Sequence, residues 1–362
     1  FTGFDGLKSI FKTIENINDS NALEEYADPC TGMQTGRNSE FIRSWYETNN
    51  LDIINNGGAI WNFYMMGGKG VKWYGNLDKV ILWENDGKVV KEFKGSVVRN
   101  ERFFRRKGIS WKRITSSENT IRYLPENFIF DQSADSLFPK SDGMFNYLLG
   151  IFNSKVISSL LEIFSATLNL TSGSVSDIPI VFSEKNKTKI DELVIDCISI
   201  SKKNWDMHET SWDFKYSPLL ANKSDGLIAS AYESYKTQVN ERFMKLKENE
   251  EELNRIFIEI YGLGDELTSD VLDKDITVAK IFDKKEDIDE GIKGNKYIMT
   301  REDVVKNYLS YFVGCLMGRY SLDVEGLAYA GGDFDLDKYS SFNVDVDGVL
   351  PLTDAQYFEE DI

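Results

Sequence analysis

At 362 residues, 41% of them hydrophobic, the chain has material for two or three packed domains of roughly 150 residues each, and disorder throughout is excluded. Lys and Arg number 42 against 59 Asp and Glu, and the net charge of −17 argues against a protein coated all over in nucleic-acid-binding charge. Cys30, Cys197 and Cys315 are spaced for neither a disulfide framework nor a zinc site, which points to a reducing cytoplasm, and no apolar run reaches the eighteen or so residues that a membrane span needs.

The chain opens on Phe1 without a basic, cleavable leader and is expected to be a piece of something longer. Residues 1–30 read as a lead-in segment, in which Leu7, Ile10, Phe11, Ile14 and Ile17 follow helical spacing until Asp28 and Pro29 break it. Residues 31–183 are expected to form a mixed α/β domain. Its β-prone runs are 80–83, 97–98 and 128–130, and one strong helix covers 145–164. From 184 to 362 a mainly helical domain is expected, so the predicted fold class is α+β. Ile190, Leu193, Val194, Cys197 and Ile198 begin its helical periodicity.

The longest helix is predicted over 229–261, about 50 Å at roughly 1.5 Å per residue. Tyr232, Tyr235, Val239, Phe243, Leu246, Leu253, Phe257 and Ile260 form its apolar stripe. Glu241, Lys245, Lys247, Glu248, Glu250 and Glu251 lie opposite, as on a buttressing helix rather than a coiled-coil seam. The polar run 284–295 reads as a mobile loop, and a helix over 302–320 precedes an acidic tail.

Charge is unevenly placed. Residues 1–140 carry 19 basic and 18 acidic side chains, whereas the remainder carries 23 and 41, a net −18. Within 66–122 there are 14 basic residues against 6 acidic, net +8, densest between Arg99 and Arg113. Trp73, Tyr74, Trp83, Phe93, Phe103, Phe104, Trp111 and Tyr123 are interleaved with them. Cations, aromatics and amides together supply contacts to phosphates and to base edges. Arg37, Lys69, Lys72, Arg99, Arg102, Arg105, Arg106, Lys107, Lys112 and Arg113 are the candidate DNA contacts. The plainer alternative is a solvated face on a β-rich domain whose aromatics are core.

Enzyme chemistry is thin. The lone histidine, His208, has no serine or cysteine elbow and reads as structural. Asp333, Asp335, Asp337, Asp345 and Asp347 suggest calcium, but Val344 stands where the loop needs its last carboxylate. Glu92 and Lys94 with Asp78 or Asp86 imitate a metal-dependent nuclease, a spacing that chance supplies easily. Neither a Gly-x-Gly-x-x-Gly opening nor a Walker loop occurs, so no catalytic, metal-binding or cofactor-binding residue is assigned.

The run Gly32 to Arg43 resembles the opening of the target-recognition domain of large adenine-specific DNA methyltransferases, in particular the PglX type of BREX phage-exclusion systems. The resemblance continues at Trp73 to Asn76, Trp83 to Gly87, Arg122 to Pro125, Tyr147 to Lys155 and Ile178 to Ile180, and then at Glu209 to Phe214, Asn249 to Phe257 and Gly314 to Leu322. The family's catalytic signature and its glycine-rich loop for S-adenosylmethionine are absent. The resemblance therefore implies a C-terminal, non-catalytic specificity part: a module that reads double-stranded DNA for an adenine-N6 methyltransferase of a phage-defence or restriction-modification system. S-adenosylmethionine belongs to the parent enzyme and the parent's own methyltransferase domain is a partner. Gly32, Thr35 and Gly36 are candidates for positioning phosphates, and Arg37 and Asn38 for reading bases. The rival readings are a scaffold that docks other phage-defence proteins and the specificity part of a bifunctional restriction enzyme.

Overall fold

The computed structural model describes residues 22–49, 53, 60–113, 120–164, 170–176, 178–223 and 226–345; the helical periodicity read at 7–17 and Asp347 lie outside them. The fold is α+β. Two four-stranded sheets form its strand-rich half. In the first, β1 (Ala27–Cys30), β8 (Ser136–Pro139), β5 (Gly108–Trp111) and β6 (Ile121–Leu124) are adjacent in that order and all antiparallel. In the second the order is β2 (Ile42–Ser44), β4 (Lys79–Leu82), β3 (Trp61–Met65) and β7 (Phe128–Phe130), with β7 parallel to β3. The sheets share one apolar layer in which Met65, Phe128 and Phe130 meet Cys30, Leu124 and Phe138. Helix ends before Asp28 and Pro29, as expected; they sit in β1, where an edge position tolerates proline's missing N–H. The run 97–98 is no strand, since Val97 makes only a single bridge to Gln34.

Helices α1 (Leu23–Tyr26), α2 (Asn38–Phe41) and α3 (Glu84–Glu92) decorate this half. The predicted 145–164 helix is two: α4 (Phe145–Phe152) and α5 (Lys155–Phe164). Between them the Asn153 side chain donates to the Ile121 and Leu149 carbonyls, and Ser154 Oγ donates to the Ile151 carbonyl. Such local side-chain bonds compete with the helical ladder and end it.

After α6 (Ser172–Ser176) come α7 (Glu184–Asp206), α8 (Pro218–Ala221) and the 34-residue α9 (Ile228–Tyr261), closed by Gly262 at φ 66°. The predicted stripe of α9 is buried except at Ile260, which is half-buried, and Glu250, which the sequence placed on the polar face, is buried as well. A parallel pair, β9 (Lys280–Phe282) and β10 (Ile298–Thr300), leads into α10 (Arg301–Leu316), which stops short of Tyr320 at Gly318, φ 74°. The 284–295 run is structured rather than loose. It holds two 3-10 turns, Ile292 is buried, and Asn295 Nδ2 donates to the Asp273 and Ile276 carbonyls.

One core links the halves. Trp73, Trp111 and Ile121 belong to the same buried cluster as Phe145, Val194, Phe243, Phe257 and Ile276. The change near residue 184 is therefore a change of element type across a continuous interior.

Candidate nucleic-acid interface

The segment from Asn100 to Lys107 is held rigidly by its backbone. Asn100 (φ 54°) leads into the 3-10 turn Glu101–Phe103, and Arg105 adopts φ 64°. Arg105 N donates to the Phe128 carbonyl at 2.8 Å while its own carbonyl accepts from Asn127 N at 3.2 Å, which clamps the turn to the start of β7. Phe103 is the anchor, buried and stacked on Phe138 with centroids 4.6 Å apart.

Cations line the outside of this anchor. Arg102 and Arg106 lie 4.8 and 5.3 Å from the Phe103 ring centroid, and Lys107 Nζ lies 4.0 Å from that of Phe145. Each such cation–ring pair contributes about 0.5–1 kcal/mol at an exposed site and presets the side chain's direction. Arg99, Arg102, Arg105 and Arg106 are exposed and Lys107 is half-buried. Among the described residues none of the five closes an ion pair, although nearby Lys91 takes both Asp86 and Glu101. Arg105, Arg106 and Lys107 border a polar cleft of about 240 Å³ whose other walls include Glu126 and Asp142. In a chain of net −17 these cations form a local basic ridge that closes no ion pair among the described residues.

The other candidates lie elsewhere. Lys112 and Arg113 follow β5 and Lys107 precedes it, so they stand about 17 Å apart at roughly 3.4 Å per residue. Arg113 N donates to the Ser133 carbonyl. Lys69 is exposed and close enough to His208 to disfavour that ring's protonation. Lys72 leaves the group, because it is buried with Nζ 3.0 Å from Glu250 Oε2.

The glycine turn is also mostly interior. A Cβ on Gly32 would fall 2.4 Å from the Phe130 carbonyl oxygen, so glycine is required there by packing. Thr35 is fully buried; its hydroxyl donates to Asn38 Oδ1 and accepts from Arg37 N. Neither Gly32 nor Thr35 reaches the surface. Gly36, Arg37 and Asn38 do reach solvent, with Arg37 over the Phe93 ring at 5.2 Å and paired to Glu40 at 3.0 Å.

Sequence reasoning missed two features. Arg122 is fully buried, and its Nη2 donates to the Met66 and Gly67 carbonyls while Nε and Nη1 find no partner among the described residues. Burial lowers its proton affinity, to a pKa of about 10, so it remains charged at neutral pH. An arginine inside an apolar strand gave the only signal. The second is Asn85, Asp86 and Gly87, three successive left-handed residues; a Cβ on Gly87 would meet Trp83 at 2.7 Å.

His208 is half-buried, and burial followed by the field of Lys69 keeps its ring neutral. Asp335 accepts from Asp337 N, and Asp78 and Asp86 pair with Lys79 and Lys91. The carboxylates considered for calcium or a nuclease converge nowhere among the described residues. All three cysteines are free and buried, and no described helix is long and apolar enough to cross a membrane.

No family model matches the chain. It is 35% identical over 357 residues to the adenine-specific methyltransferase PglX of Lacticaseibacillus casei (strain Zhang), covering 94% of this chain and 28% of that protein. It is 33% identical over 344 residues to the adenine-specific methyltransferase BrxX of Escherichia coli O9:H4 (strain HS), covering 91% of this chain and again 28% of the relative. Among solved structures, the type IIL restriction-modification enzyme MmeI in complex with DNA aligns with 66% of this chain and 34% of its own at a TM-score of 0.35 and 13% identity, a likeness too slight to carry an argument. Over nearly its whole length the chain is thus similar to a part of the adenine-specific methyltransferases PglX and BrxX, and it spans about 28% of their length.

Proposed function

We propose that this chain is the C-terminal DNA-recognition part of an adenine-N6 DNA methyltransferase in a phage-defence or restriction-modification system, with catalysis carried by the rest of the parent protein. The observation that carries this is the ridge of Arg102, Arg105, Arg106 and Lys107, cations set around buried aromatic rings and left without acidic partners among the described residues of an acidic chain. An enzyme that rotates a base out of a duplex needs a separate surface to hold the flanking base pairs. The ridge supplies phosphate contacts and the exposed Arg37 and Asn38 supply groups for base edges, while the acidic residues beyond 180 act as scaffold. S-adenosylmethionine is assigned to the parent's other part. The 32–36 turn gives it no cradle, because Gly32 is packed against β7 and Thr35 is spent on Asn38.

A domain exchange tests the reading. Joining this chain to the catalytic part of a relative with a different target should move the methylated motif with this chain, as read by sequencing modified bases. A motif that stays with the catalytic part disproves it.

One observation favours a second role alongside recognition. Val305, Leu309, Phe312 and Val313 on α10, with Met317 just past its end, expose an apolar face, 40–52% accessible, which suits docking against another protein surface such as the parent's methyltransferase part. Leu309→Lys with Phe312→Lys should then weaken association of the two parts in trans without altering this chain's DNA affinity.

A further inference from the structure

A second concave site lies where the two halves meet, apart from the ridge. Its walls include Lys69, Tyr74 and Asn76 after β3, Trp205 and the 207–210 turn at the end of α7, Lys296 to Met299 entering β10, and Tyr311 on α10. The cavity has a volume of about 450 Å³. That lies within the roughly 300–1,000 Å³ of small-molecule sites.

The lining is chemically specific. Tyr74, Trp205, His208, Tyr297 and Tyr311 give it flat aromatic surfaces. Two polar groups in the wall have hydrogen-bonding capacity to spare. The Tyr311 hydroxyl is buried beside the Cys315 thiol, a weak partner, and has no oxygen or nitrogen partner among the described residues. The His208 ring, held neutral by burial, offers one N–H donor and one acceptor nitrogen. A buried hydroxyl met only by a thiol is weakly satisfied, and a ligand atom at hydrogen-bond distance would complete it. Lys69 and Lys296 border the cavity, and among the described residues neither forms an ion pair. The carboxylate of the wall, Glu209, is engaged by Ser310 Oγ at 2.6 Å.

We propose that this cavity binds a mononucleotide unit, with the base between the aromatic walls, its edge read by His208 and the Tyr311 hydroxyl, and the phosphate held by Lys69 and Lys296. An aliphatic lipid leaves the two ring-edge donors and acceptors unmet, and a cationic or neutral peptide leaves the lysines unmet. A planar heterocycle bearing an anion meets both. The unit has two sources, a free nucleotide or a nucleotide swung out of a DNA strand, and the site chemistry is the same for each.

Calorimetry on the whole chain tests this with 5′-AMP, GMP, CMP and TMP as probes. At least one should saturate, its nucleoside without phosphate should bind about tenfold more weakly, and Lys69→Ala with Lys296→Ala should reproduce that loss while leaving the thermal midpoint unchanged. Tyr311→Phe, which removes only the hydroxyl, should weaken binding about three- to tenfold. Asn307→Trp, at an exposed wall position, should fill the space and abolish it. Competition with a short single-stranded oligonucleotide separates the sources: displacement at lower nucleotide concentration than the free monomer assigns the site to DNA, and no displacement assigns it to a free nucleotide. If none of the four probes saturates by about 5 mM, or if the lysine and tryptophan variants bind as the parent does, the proposal falls. Arg105→Ala with Arg106→Ala and Lys107→Ala should leave nucleotide binding intact, so failure of the ridge as a DNA surface and failure of the nucleotide site are distinguishable.

Discussion

Glu250, near the middle of the long α9, accepts from Lys72 Nζ at 3.0 Å and from the Trp73 indole N–H at 2.7 Å, and so ties the strand-rich half to the helical one across 178 positions of sequence. All three side chains are buried. Removing one partner of a buried ion pair strands the other's charge, at a cost of about 3–5 kcal/mol. Glu250→Ala should therefore lower the unfolding free energy by that much, whereas Lys72→Met with Glu250→Leu should recover part of the loss; urea melts of the three proteins read both. The same geometry bears on residues 184–362 expressed alone. They would expose the face that Trp73, Trp111 and Ile121 cover and leave Glu250 unpaired, so we expect a species without a cooperative transition rather than an autonomous helical unit.

The ridge gives a salt prediction. Each phosphate neutralised on duplex DNA contributes about −0.9 to the slope of log affinity against log salt. Replacing Arg105, Arg106 and Lys107 by Ala should flatten that slope by two to three units, about 0.9 for each phosphate no longer neutralised, and weaken random-sequence duplex as much as target. These side chains are exposed or half-buried and only two cation–ring pairs are lost, so the fold should persist with the thermal midpoint lowered by no more than a few degrees. Fluorescence anisotropy at several salt concentrations reads both quantities, and an unaltered slope reduces the ridge to a solvated face.

Asp135 predicts a pH dependence. It is fully buried, its Oδ2 accepts from Ser172 N at 2.9 Å, and Oδ1 has no partner among the described residues. Burial raises its pKa from 3.8 to about 6, against the bond from Ser172 and the field of Arg113. The folded state thus holds this proton more tightly than the unfolded chain does. Its contribution is most favourable below pH 3.8, declines as pH rises to about 6, and stays lost above that. At about 1.4 kcal/mol per pKa unit the loss is on the order of 1–3 kcal/mol. Asp135→Asn keeps an acceptor for Ser172 and removes the charge, so it should be more stable than the parent at pH 7.5 and lose that advantage near pH 4. Urea melts at the two pH values check this.

Helical periodicity was the most legible part of the sequence. The stripe from Tyr232 to Ile260 gave α9 nearly end to end, because a long amphipathic face repeats its signal many times. The short strands were less visible: 128–130 reads as β-prone and is β7, but β2, β9 and β10 hold only three residues each and pass unread. The ridge was legible as a charge excess, but which cations stay free was not. Lys72 and Lys107 look alike in sequence, and only the position of Glu250, 178 residues downstream of Lys72, decides that one is buried. Gly32 misled for a related reason. A glycine demanded by close packing on the Phe130 carbonyl has the same letter as one that clears room for a phosphate.

The 32–36 turn therefore offers a final test that separates reading from packing. Arg37 is exposed, stacked on Phe93 and paired with Glu40 on the surface, so Arg37→Ala should leave the fold intact. If its guanidinium reads a base edge, the variant should still bind DNA but discriminate less by about 1–3 kcal/mol at one position of the motif, with the other positions unchanged. Gly32→Ala should fail in the opposite way. Its Cβ would sit 2.4 Å from a backbone oxygen that cannot swing aside, so the turn must move and soluble, folded protein should drop sharply, with no change of motif in what remains. Sequencing the methylation left by the parent enzyme on random DNA scores both variants at once. A relaxed motif from Gly32→Ala, or a uniform loss of rate with the motif unchanged from Arg37→Ala, reverses the roles assigned to the two residues.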